Sequence, residues 1–326
     1  MKIGVLIPKA ARQGLFHDSD LERLEALGEV IWWSGEAAPT LEEATALLAD
    51  CEVAVSTWGS PTPKPELLAD CPHLKLWEHV AGSVKGHFND AVVERGLMVA
   101  SCKSAIAECV AEMVLGLMIV GVRRVPQDVA GNRDNRPGKP SNLKTLADCT
   151  IGVIAASEVG KLVIRNLQPF GPRIRLFDPF TDEAGARKLG VSREEDLVEL
   201  CRTCDAVTLH TPLLEATRRM LKAEHFQAMA DDTLFINTSR GPCIDEAALI
   251  AELQKGRLFA CLDVSDPEPP AADSPLRRLP NVWYTSHIAG PASRLMGRQC
   301  AEDLEAYARG GKPRVVVTAD DLDRVA

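Results

Sequence analysis

The chain has no block of lysines and arginines, no second cysteine pair at metal spacing and no apolar run long enough to cross a bilayer. A net charge of −9 over 326 residues, with a pI near 5.4, argues against a nucleic-acid or anionic-membrane surface. The longest apolar stretch, Met113 to Val122, is about half of what a spanning helix needs. At the N-terminus, "MKIGVLIPKAARQGLF" is interrupted by Pro8 and Lys9, too early for a signal h-region, and reads as a first buried strand. The ten cysteines are scattered, and only Cys201-Arg-Thr-Cys204 has redox or metal spacing. One such pair without further Cys or His ligands implies ordinary, mostly buried thiols in a reducing compartment. The expectation is a cytoplasmic protein with no metal, nucleic-acid or membrane partner.

The length suggests about two domains, and 46% hydrophobic with 25% charged residues fits a globular chain. The first hundred residues alternate strand-like runs at Lys2–Ile7, Val30–Trp33, Val53–Ser56, Leu74–Val80 and Leu97–Ala100 with helical patterns such as Thr40–Ala49 and Pro65–Ala69. This alternation predicts a parallel sheet covered on both faces. A long helix over Ile106–Arg123 follows, then a polar arm, "GNRDNRPGKPSNLK", read as a connection. A second βαβ series runs through "CTIGVIAA", "RIRLFDPF", "DAVTLHTP", "TLFINTS", "LFACLDVS" and "VWYTSHIAG". Its polar strand ends form the rim where open α/β sheets bind ligands. The tail from Ala292 is helical again and is expected to return to the first domain.

Glycine is scarce where a phosphate-binding turn needs it. Aligned on Gly160, G-x-G-x-x-G becomes Ala155-Ala156-Ser157-Glu158-Val159-Gly160. Gly160 keeps the helix-packing role, and Ala155 is a mild change provided its φ is negative. Ser157 puts a hydroxyl where the backbone should approach the ligand, and that hydroxyl could donate to phosphate. Glu158 suits an empty helix N-terminus and repels a pyrophosphate. Asp178, 18 residues past Gly160, stands where a carboxylate accepts bonds from an adenosine ribose. A plain βαβ crossover with an acidic strand end would carry the same pattern.

"HTPLLEATRRML", "FINTSRGPCIDEAAL", "LDVSDPEPP" and "LPNVWYTSHIAG" occur in this order. Together they strongly resemble the D-isomer-specific 2-hydroxyacid dehydrogenases, the family that includes phosphoglycerate, glycerate and formate dehydrogenases. Upstream, "HVAGSVKGHFNDAVVERGLMVAS" resembles the family's substrate loop, and "VAEMVLGLMIVGVRR" its long interdomain helix. The resemblance implies two Rossmann-like doubly wound parallel-sheet domains with a cleft between them. A flavodoxin-like substrate domain would comprise 1–102 and 290–326, and an NAD-binding domain 103–289.

By the same resemblance Arg240 holds the substrate carboxylate and carbonyl, a task suited to a planar fork. His287 is the proton donor and acceptor, and Glu268 holds the imidazolium. The resemblance also implies that the Val80-Ala81-Gly82-Ser83 backbone binds the substrate carboxylate and that Asp263 meets the nicotinamide carboxamide. Thr238, Ser239 and Gly290 would lie nearby, with Ser157, Glu158, Val159, Gly160, Asp178, Thr211 and Pro212 around the rest of the dinucleotide. His79 and His210 read as loop or strand-end residues. Trp58 is either a wall of the substrate pocket or a core aromatic.

Asp178 favours NAD over NADP, since a carboxylate repels a 2′-phosphate, although Arg173 and Arg175 leave NADP open. Glu268 argues against the formate branch, which uses Gln there. The implied activity is hydride transfer between NAD(H) and a small or medium 2-keto or D-2-hydroxy acid, in a homodimer. The alternative is a non-catalytic NAD-sensing or partner-binding protein, like the family's corepressor branch.

Overall fold

The computed structural model describes residues 1–135 and 143–322. The chain forms two compact units, Met1–Ile106 with the segment from Gly290 onward, and Ala107–Ala289. Thirteen strands occur among the described residues. In chain order they are β1 Lys2–Val5, β2 Glu29–Trp32, β3 Val53–Ser56, β4 Leu76–His79, β5 Met98–Ser101, β6 Thr150–Ile154, β7 Arg173–Phe177, β8 Ser192–Arg193, β9 Ala206–Leu209, β10 Leu234–Asn237, β11 Phe259–Leu262, β12 Val282–Tyr284 and β13 Val316–Val317.

In the first unit the sheet order is β13-β5-β4-β3-β1-β2. Neighbours are parallel except β13, which pairs antiparallel with β5. Without β13 this is the flavodoxin order. Every residue of β3 and β4 is buried, as strands covered on both faces require. On one face Ile3, Val5 and Leu76 pack with Leu15, Phe16 and Met296. On the other, Ala54, Trp77 and Val99 pack with Leu48 and Leu67. The tail helix Arg294–Ala308 supplies Met296, Cys300, Ala301 and Leu304 to the first core, at helical spacing. Helix Leu41–Leu48 starts at a reciprocal cap: Thr40 Oγ1 accepts from Glu43 N, and Glu43 Oε2 accepts from Thr40 N at 2.8 Å.

The second unit is a fully parallel sheet in the order β12-β11-β10-β9-β6-β7-β8. That is the dinucleotide-binding order, with the reversal at β6 and β9. Each strand expected from the sequence forms. The two-residue edges β8 and β13 are unmarked in the sequence, because so short a pairing leaves no periodic signal.

Helix Lys103–Val122 starts three residues earlier than expected. Among the described residues it alone is long and apolar enough, by length and composition, to span a bilayer. The unbroken apolar run begins only at Met113, whereas the first half of the helix interleaves small apolar residues with Glu108 and Glu112. Ser104, Ala105, Ala107, Val110, Ala111, Val114 and Met118 are buried, the one-sided stripe of a helix packed on a core. The expected polar arm also differs. Its first residues, Gly131 to Arg133, close a helix Val125–Arg133 whose Pro126 is tolerated in the first turn, and its residues 136–142 lie outside the described residues.

Candidate active site

The turn after β6 departs from the sequence expectation in two respects. Ala155 has φ 77°, a left-handed conformation in which a Cβ is strained, so replacing the glycine is not mild. Ser157 caps helix Glu158–Leu167, its Oγ accepting from Gly160 N at 3.2 Å and donating to the His210 carbonyl at 2.7 Å. Its proton is therefore committed and does not point to a phosphate. Gly160 is required by close approach, since a Cβ there would lie 2.0 Å from the Ala155 carbonyl oxygen. Glu158 is exposed and Val159 half-buried. As the first two helical residues, their amides have no acceptor within the helix. Asp178, 9% exposed, accepts from Ala156 N at 2.6 Å and from Phe180 N at 2.7 Å. It ties the turn to the end of β7 and leaves Phe180 96% exposed.

At the ends of β9 and β10, the Thr211 and Thr238 hydroxyls are buried without a hydrogen-bond partner among the described residues, with Pro212 half-buried beside Thr211. His210 Nε2 meets Thr208 Oγ1 at 3.0 Å, and burial pushes its pKa down to about 3. Asn237 organises the next turn. Its Oδ1 accepts from Ser239 N and Oγ, both at 3.0 Å, and its Nδ2 donates to the Arg240 carbonyl at 3.3 Å. The half-buried Arg240 donates from Nη1 to the Ser239 carbonyl at 2.7 Å. Gly241 presses this turn against the end of β11, a Cβ there falling 2.0 Å from the Ser265 carbonyl oxygen.

His287 and Glu268, 19 residues apart, meet: His287 Nδ1 lies 2.6 Å from Glu268 Oε1, with both side chains partly exposed. The Glu268 loop is anchored where Asp266 N donates to Glu246 Oε2 at 2.9 Å. Asp263, expected at the cofactor, is 1% exposed and engaged within its own chain. It accepts from Thr285 Oγ1, Ile288 N and Ala289 N at 2.6 to 2.8 Å. Gly290 follows directly. Sequence reasoning gave no role to Asn237 or Thr285, although both lie inside the quoted motifs, because each acts through partners that only folding supplies.

In the first unit, Val80, Ala81, Gly82 and Ser83 follow β4. The Val80 carbonyl accepts from Thr57 Oγ1 at 3.0 Å and that of Gly82 from Ser101 Oγ at 2.9 Å. The amides of Gly82 and Ser83 have no partner among the described residues. Trp58 is 48% exposed, so the core-aromatic reading falls. His79 ends β4 as expected, bonded through Nδ1 to Ser56 Oγ at 2.9 Å, and burial together with the neighbouring His87 pushes its pKa down to about 3. In the second unit Cys201 and Cys204 are buried, which raises both thiols to about 12.

Residues 115–289 match the family model described as D-isomer specific 2-hydroxyacid dehydrogenase, NAD binding domain. The chain is 31% identical over 311 residues to a D-3-phosphoglycerate dehydrogenase of Methanocaldococcus jannaschii, covering 94% of this chain but only 58% of that protein. It is 30% identical over 315 residues to a glyoxylate reductase of Korarchaeum cryptofilum, covering 92% of each. The NAD-complexed D-isomer specific 2-hydroxyacid dehydrogenase of Lactobacillus delbrueckii ssp. bulgaricus shares the fold, with a TM-score of 0.81 at 21% identity over 98% of this chain and all of that one. With the strand order and the His287–Glu268 pair, these likenesses establish that the chain belongs to the D-isomer specific 2-hydroxyacid dehydrogenase family.

Proposed function

We propose that this protein is an NAD(H)-dependent oxidoreductase acting on a small or medium 2-keto acid or D-2-hydroxy acid. The observation that carries the reading is the 2.6 Å contact between His287 Nδ1 and Glu268 Oε1. It orients the imidazole and leaves Nε2 to hold or release a proton. Arg240 supplies the guanidinium for the substrate carboxylate and carbonyl oxygen. On the first unit, the open amides of Gly82 and Ser83 and the exposed Trp58 support a substrate-binding role for the Val80–Ser83 segment.

The residues at the strand ends fit a dinucleotide. The hydroxyls of Thr211 and Thr238, without a hydrogen-bond partner among the described residues, and the open amides of Glu158 and Val159 are the donors such a ligand needs. Asp178 sits where its carboxylate favours NAD over a 2′-phosphorylated cofactor. Bound NAD(H) supplies the hydride, while Arg240 orients the carbonyl and His287 delivers the proton to its oxygen.

The protein partner is a second copy of this chain. Ile119, Val125, Val129 and Phe170 are exposed apolar residues on the second unit, and a groove of about 190 Å³ runs between Ile119, Val122, Leu146 and Phe170. A two-fold contact would cover them. Neither a membrane nor nucleic acid is needed to account for this face, and a reducing cytoplasm suits ten cysteines of which none forms a disulfide among the described residues.

The test is NADH oxidation against a panel of 2-keto acids including glyoxylate, hydroxypyruvate and larger homologues, with the chirality of the product determined. Turnover giving the D-hydroxy acid is expected. NADH binding without turnover of any panel member would overturn the reading in favour of a nucleotide-sensing protein.

A further inference from the structure

At the end of the second sheet opposite Thr211 and Thr238 lies a cavity of about 180 Å³ that the proposed reaction does not use. Cys149, Asp205 and Thr233, each just before the start of β6, β9 or β10, line it. Gly121, Val122 and Arg124, where the long helix ends, complete it. The four- and five-residue strands between set it roughly 15–20 Å from the two threonine hydroxyls, at about 3.3 Å per residue. All of its lining belongs to the second unit.

Two residues with left-handed backbones meet there, Arg124 at φ 54° and Asp232 at φ 74°. Arg124 Nη2 donates to the Asp232 carbonyl at 3.1 Å and lies 3.0 Å from its Oδ1. The guanidinium sits over the Phe259 ring, 4.0 Å from its centroid. Only 9% of the Arg124 side chain is exposed, yet its Nε and Nη1 bond to nothing among the described residues. A guanidinium carries donors on all three nitrogens, so those two are unused. Burial lowers its pKa although Asp232 beside it acts the other way, as expected of a charge short of partners.

The rest of the lining tells the same way. Lys144 Nζ lies 2.5 Å from Asp205 Oδ1, and an ammonium has further N–H groups to give. The acids are already engaged: Asp205 Oδ2 accepts from Thr150 N at 2.7 Å, Asp231 pairs with Arg257 at 2.7 Å, and Asp232 holds Arg124. Donors are in surplus and the carboxylates are matched by cations, which favours an anionic guest. Val122 and Leu234 add an apolar wall. At about 30 Å³ for each water-sized group, the space takes roughly six non-hydrogen atoms.

We infer that this cavity is a second ligand site, for a small organic carboxylate whose oxygens take the free donors of Arg124 and Lys144 and whose short carbon stem lies on Val122 and Leu234. It stands apart from the cofactor and substrate residues and does not depend on the oxidoreductase reading.

Butyrate, titrated into the full chain at constant ionic strength and followed through the amide resonances of Thr233 and Leu234, tests it. Saturable shifts with a Kd on the order of 1 mM are expected for so small a ligand. Butyramide, which keeps the shape without the charge, should bind at least about tenfold more weakly. Lys144→Met keeps the stem and removes the ammonium, and should weaken butyrate about threefold to tenfold. Lys144 is chosen because its side chain is 42% exposed, whereas a change at the buried Arg124 endangers the fold. Lack of saturation by about 50 mM, equal binding of butyramide, or equal shifts with inorganic phosphate would each overturn the proposal. Unaltered affinity in Lys144→Met would overturn it too. The amides of Gly82 and Ser83 report the substrate segment in the same spectra, so butyrate that shifts only those resonances counts against the cavity. The outcome is independent of whether any keto acid is turned over.

Discussion

Replacing His87 by leucine should remove a large part of the first unit's sensitivity to acid. His87 is 5% exposed, neither ring nitrogen has a partner among the described residues, and its ring lies 4.4 Å from that of His79. Burial pushes its pKa down to about 4. In the unfolded chain the ring titrates near 6.5, so the folded state binds the proton later. Stability from this group is therefore complete above pH 6.5 and is lost as pH falls toward 4. At pH 5, 1.5 pH units below the unfolded value, the loss is about 2 kcal/mol at about 1.36 kcal/mol per unit. His79, depressed further, adds to the same limb. Leucine has a similar volume, cannot titrate, and leaves no orphaned nitrogen. Urea unfolding followed by tryptophan fluorescence is a suitable assay, because Trp32, Trp33, Trp58 and Trp77 all belong to the first unit. The stability lost between pH 7.5 and pH 5 should be about 2 kcal/mol smaller in His87→Leu than in wild type. Equal losses would mean that His87 is protonated in the fold at no cost, and the burial reasoning would be wrong.

Ala155→Gly removes the Cβ strained at φ 77°, a gain of about 1–2 kcal/mol less about 0.4–1 for the freer unfolded chain; a urea midpoint below wild type would contradict it. Glu158→Arg exchanges a repulsive for an attractive charge at a helix start and should tighten NADH by ~1 kcal/mol, about fivefold. Fluorescence titration should show that gain shrinking as salt rises. His287→Ala should lower kcat by roughly two to four powers of ten while NADH still binds. Glu268→Gln keeps the shape without the charge and should lower kcat about 10-fold while NADH still binds, which steady-state kinetics on the best keto acid will read.

Much of this protein was legible in the order of its residues. Apolar runs such as Val53–Ser56 and Thr150–Ile154 could only be buried strands, and the helices between them forced parallel pairing. "NTSRG", "DPEP" and "SHIAG" announced a guanidinium, a carboxylate and an imidazole in sequence, because a reacting group must be a particular residue type wherever the fold places it. Local signals of this kind survive in one dimension. What depends on a partner far along the chain does not. Whether Ala155 is strained turns on a φ imposed by the close packing of Gly160 against its carbonyl. Whether Ser157 can face a phosphate turns on the His210 carbonyl, 53 residues away, which takes its proton. The bonds that Thr285, Ile288 and Ala289 make to Asp263 are not written in its motif, and Trp58 reads equally as pocket wall or core aromatic until its exposure is seen. The sequence by itself determined which groups exist, the strands and most of the helices. The tertiary structure alone decided which of them are buried, charged, strained or already bonded, since desolvation and hydrogen-bond geometry are properties of neighbours in space and not of neighbours in the chain.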